Sequence, residues 1–171
     1  MNNSSKPLVM IVDDTPRVRQ AISYLLSKKD YGISTAGNAA EAVNLLGERP
    51  ADLIILDVMM PETDGFQLCR QLKKDIPVIF LTAKTTPSDI AKGLATGAVD
   101  YIKKPYNSEE LLLRVELHLK LKKSKDNEKA HMLQLKTLFE KYKEISSCEA
   151  CKKFFNEDYL KEMEAYIKGF E

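Results

Sequence analysis

LIILDVMMPETDG, residues 53–65, decides the fold. Four apolar residues, Leu53 to Leu56, run directly into Asp57, an acid that no cation within the segment offsets. The apolar run is too short for a helix. It reads as a strand buried on both faces, which carries a carboxylate to the edge of a sheet. Pro61 and Gly65 read as the residues that shape the turn after that strand.

The flanking sequence repeats the theme. LVMIV (8–12) and PVIFL (77–81) read as further buried strands, with ISTA (33–36) and VDYI (99–102) as weaker ones. Segments of helical period lie between them. Val18, Ile22, Leu25 and Leu26 form a stripe after Thr15-Pro16, a usual helix start. Asn38 with Glu41 makes a capping-box-like pair ahead of Ala42, Leu45 and Leu46. Further helices are expected over about 64–74 and 87–96. Another is expected from Ser108 onward, where Glu109 and Glu110 suit a helix N-terminus.

Strand and helix therefore alternate five times, which predicts an α/β fold: a doubly wound, five-stranded parallel sheet in flavodoxin-like order, with right-handed crossovers. Ligands of such sheets bind at the carboxyl ends of the strands. Asp13 and Asp14 stand there after the first strand, Asp57 after the third, Thr82 after the fourth and Lys104-Pro105 past the fifth.

Three acids brought together repel one another unless a cation shares the site. An oxygen-only set favours a hard ion such as magnesium over zinc. Lys104 and Thr82 supply a point charge and a hydroxyl donor suited to phosphoryl oxygens. A carboxylate such as Asp57 can itself accept a phosphoryl group as an acyl phosphate.

Composition sets outer limits. Apolar residues make up 44% of the 171-residue chain, which suits a globular protein rather than a disordered one. Twenty-six bases nearly balance 25 acids, so no global field recommends nucleic acid or an anionic membrane. MNNSSKP has no apolar core of a secretory signal, no run approaches a membrane span, and three cysteines make a poor disulfide framework. A cytoplasmic location is expected.

VDD (12–14), LDVMMPETDG (56–65), LTA (81–83) and DYIKKPY (100–106) together resemble the receiver domain of two-component response regulators, over about residues 7–122. The spacings of 25 residues from Asp57 to Thr82 and 22 from Thr82 to Lys104 agree with that family. The resemblance implies that Asp57 is the phospho-acceptor, taking its phosphoryl group from a histidine of a sensor kinase. It implies magnesium ligation by Asp14, Asp57 and the backbone carbonyl of Met59, with Asp13 acting through water. Lys104 would contact the phosphoryl oxygen, held by a cis bond to Pro105. Thr82 and Tyr101 would be the switch pair, and Ala83 would leave room for the phosphoryl group. Tyr106 stands where Phe is commoner. Met59 and Lys84 occupy places that tune acyl-phosphate lifetime.

Residues 1–6 are expected to be disordered, and residues 123–171 to form a helical extension. KKSKDNEK (122–129) is charge-dense, after which Met132, Leu135, Leu138, Tyr142 and Ile145 recur at spacings of three and four. Phe154, Phe155, Tyr159, Met163, Tyr166 and Ile167 mark a second helix ending near Gly169. A helical hairpin and a homodimeric coiled coil both fit, although a strict apolar heptad is not sustained. From residue 123 onward ten bases meet ten acids, so DNA binding is not expected.

Cys148-Glu-Ala-Cys151 resembles part of a short cysteine-containing module attached to some receivers. One Cys-x-x-Cys supplies half of a zinc site; His131 or a second chain would have to complete it. The function expected is a phosphorelay switch acting through an unknown downstream protein, not a metabolic enzyme. The alternatives are a magnesium-dependent phosphohydrolase with Asp57 as nucleophile, and a receiver that only scaffolds.

Overall fold

A computed structural model describes residues 6–61, 64–72, 75–83, 86–147 and 157–169. Among the described residues the elements follow in chain order: β1 (Leu8–Val12), α1 (Pro16–Ser27), β2 (Gly32–Ala36), α2 (Ala39–Glu48), β3 (Leu53–Asp57), α3 (Gly65–Gln71), β4 (Val78–Thr82), α4 (Pro87–Ala95), β5 (Asp100–Lys103), α5 (Ser108–Ser147) and α6 (Glu157–Lys168). The strands form one parallel sheet in the order β2-β1-β3-β4-β5. The expected five-stranded α/β architecture is what the chain adopts.

β1, β3 and β4 are buried along their whole length. Alternate side chains leave a strand on opposite faces, so each strand feeds two cores. Met10, Val12, Ile54, Leu56, Val78 and Phe80 pack in one cluster with Ala42 of α2 and Leu68 and Cys69 of α3. Val9, Ile11, Leu53, Ile55, Ile79 and Leu81 pack in the other with Ile22 and Leu26 of α1 and Leu111, Val115 and Leu119 of α5. Runs that looked uniformly apolar in sequence are thus two interleaved half-faces.

Helix starts follow local chemistry. Asn38 accepts from Glu41 N at 2.8 Å, and Glu41 Oε2 reaches back to Gly37 N at 2.6 Å. Asp64 caps α3 by accepting from Phe66 N at 3.0 Å. Thr86 caps α4, and Pro87 follows at its first position. α3 ends at Gln71, short of the expected 74.

The chain divides into two compact units, Met1–Lys122 and Lys123–Glu171. α5 passes from one to the other as a single 40-residue helix, so the charged stretch 122–129 is helical. The reason is visible in composition: neither glycine nor proline occurs between Pro105 and Gly169, and Lys and Glu are good helix formers.

Within the second unit, Lys143 of α5 pairs with Glu164 of α6 at 3.4 Å and lies over the Phe139 ring, 4.8 Å from its centroid. The Lys143–Glu164 pair makes α5 and α6 neighbours at that point. Burial corrects the expected stripe: Leu138 is 58% exposed, while Phe139, one position on, is buried. A step of one residue turns the helix by about 100°, which takes Leu138 and Phe139 to different sides of it. Lys6 pairs with Asp30. Residues 1–5, Lys84, Cys148, Cys151, Phe154 and Phe155 lie outside the described residues, as do the side chains of Tyr142, Ile145, Tyr159, Met163 and Tyr166.

Candidate functional site

Parallel strands end on a common edge, and the register β3–β4 and β4–β5 places Asp57 opposite Leu81 and Thr82 opposite Lys103. Asp57 is the last residue of β3 and Thr82 the last of β4, rather than the first residues beyond them. Asp13 follows β1 directly and extends its ladder by donating N–H to Ala36 O at 3.2 Å. Lys104 follows β5 and donates its N–H to Thr82 O at 2.9 Å. The Lys104-Pro105 bond is cis.

The Lys104 ammonium joins the site into one electrostatic unit. It donates to Asp13 Oδ2 at 2.7 Å and to Asp57 Oδ2 at 2.8 Å, across 91 and 47 residues of chain. Asp13 is 1% and Asp57 5% exposed, so both charges depend on these bonds. Burial disfavours the Lys104 charge, but the two carboxylate bonds outweigh it and raise its pKa above the ordinary lysine value. The remaining oxygens are also held: Asp13 Oδ1 accepts from Thr15 N at 2.9 Å, and Asp57 Oδ1 from Met59 N at 3.1 Å. Asp14 is exposed and accepts from Thr15 Oγ1 at 3.3 Å.

Asp13, Asp14 and Asp57 each offer an oxygen, all within 4.8 Å of one another. One ammonium neutralises one of three carboxylates. The remaining charge and the all-oxygen donor set fit a hard divalent cation such as magnesium. Gly65 N donates to Val58 O at 3.0 Å, folding the loop back so tightly that a Cβ at Gly65 would lie 2.2 Å from Asp57 O.

Thr82 is buried and half-buried Tyr101 stands behind it; both line a small cavity with Val58, Phe66, Phe80 and Gly93. The structure therefore brings Asp13, Asp14, Asp57, Thr82 and Lys104 to one edge and Tyr101 beside it.

Some supporting contacts were not foreseen. Arg19 of α1 donates to the Asp13 carbonyl at 2.6 Å, and Asp52 accepts from Leu8 N at 2.8 Å. Asp100, which opens β5, is held by Arg114 Nη1 at 2.7 and 2.8 Å and by His118 Nε2 at 3.1 Å. Burial raises the Asp100 pKa, but the bonds from Arg114, His118 and Tyr101 N prevail and leave it below the usual aspartate value. Glu110, Arg114 and His118 recur every four residues, a helical spacing legible in sequence, and Glu110 pairs with Arg114, but nothing local named Asp100 as the partner of Arg114 and His118.

An acidic trio and a bridging lysine at the carboxyl edge of a 2-1-3-4-5 parallel sheet define a class. The response regulator receiver domain family matches residues 9–116, and the chain belongs to it: it is a receiver of the two-component type. Among curated relatives it is similar to the transcriptional regulatory protein ResD of Bacillus subtilis, 39% identical over 122 residues, 70% of this chain and 51% of that protein. It is also similar to the response regulator MprA of Mycobacterium ulcerans, 38% identical over 125 residues, 71% of this chain and 54% of that protein. The chain thus spans about half the length of these relatives. Among solved structures, the chemotaxis protein CheY4 of Vibrio cholerae matches at a TM-score of 0.63 and 32% identity, covering 66% of this chain and 98% of that one. The Francisella response regulator 1452 receiver domain matches at 0.64 and 32%, covering 67% and 98%. Among the described residues no helix is long and apolar enough to cross a membrane.

Proposed function

We propose that Asp57 accepts a phosphoryl group from a phosphohistidine of a sensor kinase and that the acyl phosphate switches a protein-contact surface. The observation that carries this reading is the Lys104 ammonium bonded to both Asp13 and Asp57 in a cluster of three carboxylates. In the transfer, an Asp57 oxygen bonds to phosphorus while the P–N bond breaks, and its electron pair leaves with the histidine nitrogen. Asp14, Asp57 and the Met59 carbonyl would hold magnesium, with Asp13 acting through water; the ion would neutralise phosphoryl oxygens.

Lys104 exchanges its carboxylate contact for a phosphoryl oxygen, and the Thr82 hydroxyl donates to another. Tyr101 then moves in behind Thr82, beside the cavity both already line. Phosphorylation adds up to about two negative charges at a buried edge, enough to bias a two-state surface. Residues 7–122 act as the receiver and residues 123–171 as the output segment, which α5 reaches without interruption. The partners are a sensor histidine kinase and a downstream protein in the cytoplasm. Asp57 is phosphorylated once per signal rather than turning over phosphate esters.

Intact mass after incubation with magnesium and acetyl phosphate tests the reading. The parent should gain one phosphoryl group, about 80 Da, and Asp57→Asn should gain none. If a freshly charged, rapidly sampled parent gains no mass, or if Asp57→Asn gains the same mass, Asp57 is not the acceptor.

A further inference from the structure

Lys104 fixes two of the three clustered carboxylates, Asp13 and Asp57, by bonds to their Oδ2 atoms. The third, Asp14, is exposed, and the one bond its carboxylate makes among the described residues is a long one, 3.3 Å, from the hydroxyl of adjacent Thr15. Where that carboxylate lies is therefore set by the backbone that carries it.

That backbone is gripped from α1. Arg19 is the fourth residue of the helix, and its Nη1 donates to the Asp13 carbonyl at 2.6 Å. Helical side chains lean toward the helix N-terminus, so a long residue one turn in is aimed back at the turn that joins β1 to α1. The Asp13 carbonyl and the Asp14 N–H belong to one planar peptide unit. On the other side of residue 13, its N–H donates to Ala36 O at 3.2 Å. With residue 13 held at both ends, the peptide leading into Asp14 is fixed in orientation. Gly37, just past β2, leaves the guanidinium its place: a Cβ there would lie 3.3 Å from Nη1 and 3.7 Å from Cζ of Arg19.

We propose that Arg19 is a positioning residue for the cation site: by holding the Asp13–Asp14 peptide it places the Asp14 carboxylate for magnesium, and through it the phosphoryl transfer at Asp57. This rests on the reading of Asp13, Asp14 and Asp57 as a magnesium site. Charge alone predicts the opposite effect. A guanidinium beside a carboxylate cluster repels a divalent cation, so an Arg19 that acted only through its charge would, on removal, leave magnesium bound more tightly. Loss of the grip on the peptide leaves it bound more weakly.

Isothermal titration calorimetry of the full chain with magnesium chloride, without a phosphodonor, reads that sign. Arg19→Met should bind magnesium about tenfold more weakly than the parent, the usual scale for losing a group that orients a metal ligand. Met is as good a helix former as Arg, and circular dichroism checks that the fold is retained. Arg19→Lys, which keeps the charge and a donor, should restore most of the affinity. With acetyl phosphate, the half-saturating magnesium concentration of Arg19→Met should rise by the same factor while the rate at saturation is unchanged; a merely structural role would move neither among folded molecules. Equal or tighter magnesium binding by Arg19→Met, or an Arg19→Lys as weak as Arg19→Met, overturns the proposal while leaving the cation site standing. A parent that binds no magnesium overturns both.

Discussion

Replacing Lys104 with Met removes the ammonium but keeps an apolar stem of similar length, so the change tests charge rather than packing. Two bonds of 2.7 and 2.8 Å to nearly inaccessible carboxylates disappear, and Asp13 and Asp57, with Asp14 close by, are left without the cation that bridges the first two. Breaking a buried ion pair costs roughly 3–5 kcal/mol. The Lys104 side chain retains 24% exposure, so the expected loss is somewhat lower, about 2–4 kcal/mol without magnesium. With a urea m-value of about 2 kcal/mol/M, the midpoint of the receiver transition should fall by about 1–2 M. Magnesium should then rescue the variant more than it stabilises the parent. Charges of +2 and +1 sharing one carboxylate cluster repel by about 2 kcal/mol even at water-like dielectric, and that repulsion is absent once Lys104 is gone. Urea unfolding followed by far-ultraviolet circular dichroism, in EDTA and in excess magnesium, reads both effects. Equal midpoints for parent and variant in EDTA would refute the electrostatic account of the site. Equal stabilisation of the two by magnesium would refute the fit of the carboxylate cluster to the ion.

Gly65→Ala should destabilise the receiver by at least about 1–3 kcal/mol, since its Cβ would meet the Asp57 carbonyl and Val58 Cα, neither of which is a flexible side chain; an unchanged urea midpoint would show that the loop yields freely. Asp100 has a folded-state pKa below its unfolded value, so its contribution is present above about 3.8 and is lost as pH falls through the lower folded value. Between pH 5 and pH 3, roughly the carboxylate titration range, the parent should therefore lose more stability than Asp100→Asn; parallel pH profiles would remove the Arg114–His118 clamp from the account.

The elements most visible in sequence were those governed by neighbours along the chain. Leu53–Asp57 reads as a strand because its five residues carry the buried pattern themselves, and Asn38 caps α2 because its acceptor needs only a donor three residues away. The site residues were legible for a related reason: a parallel sheet delivers every strand terminus to one edge, so Asp13, Asp57, Thr82 and Lys104 converge once the alternation of elements is recognised. Boundaries were less secure. Asp57 and Thr82 belong to their strands because ladder register, not local composition, decides where pairing stops.

Sequence alone therefore determined the α/β class, the order of elements and the set of polar groups at the carboxyl edge, because periodicity and capping are local properties. Only tertiary structure decided which groups touch. Lys104 holds Asp13 and Asp57 together across 91 and 47 residues, Asp100 finds Arg114 and His118 on α5, and Phe139 rather than Leu138 is buried in the second unit. Each depends on how one element is rotated and seated against another, and that is set by packing throughout the fold rather than by the residues making the contact.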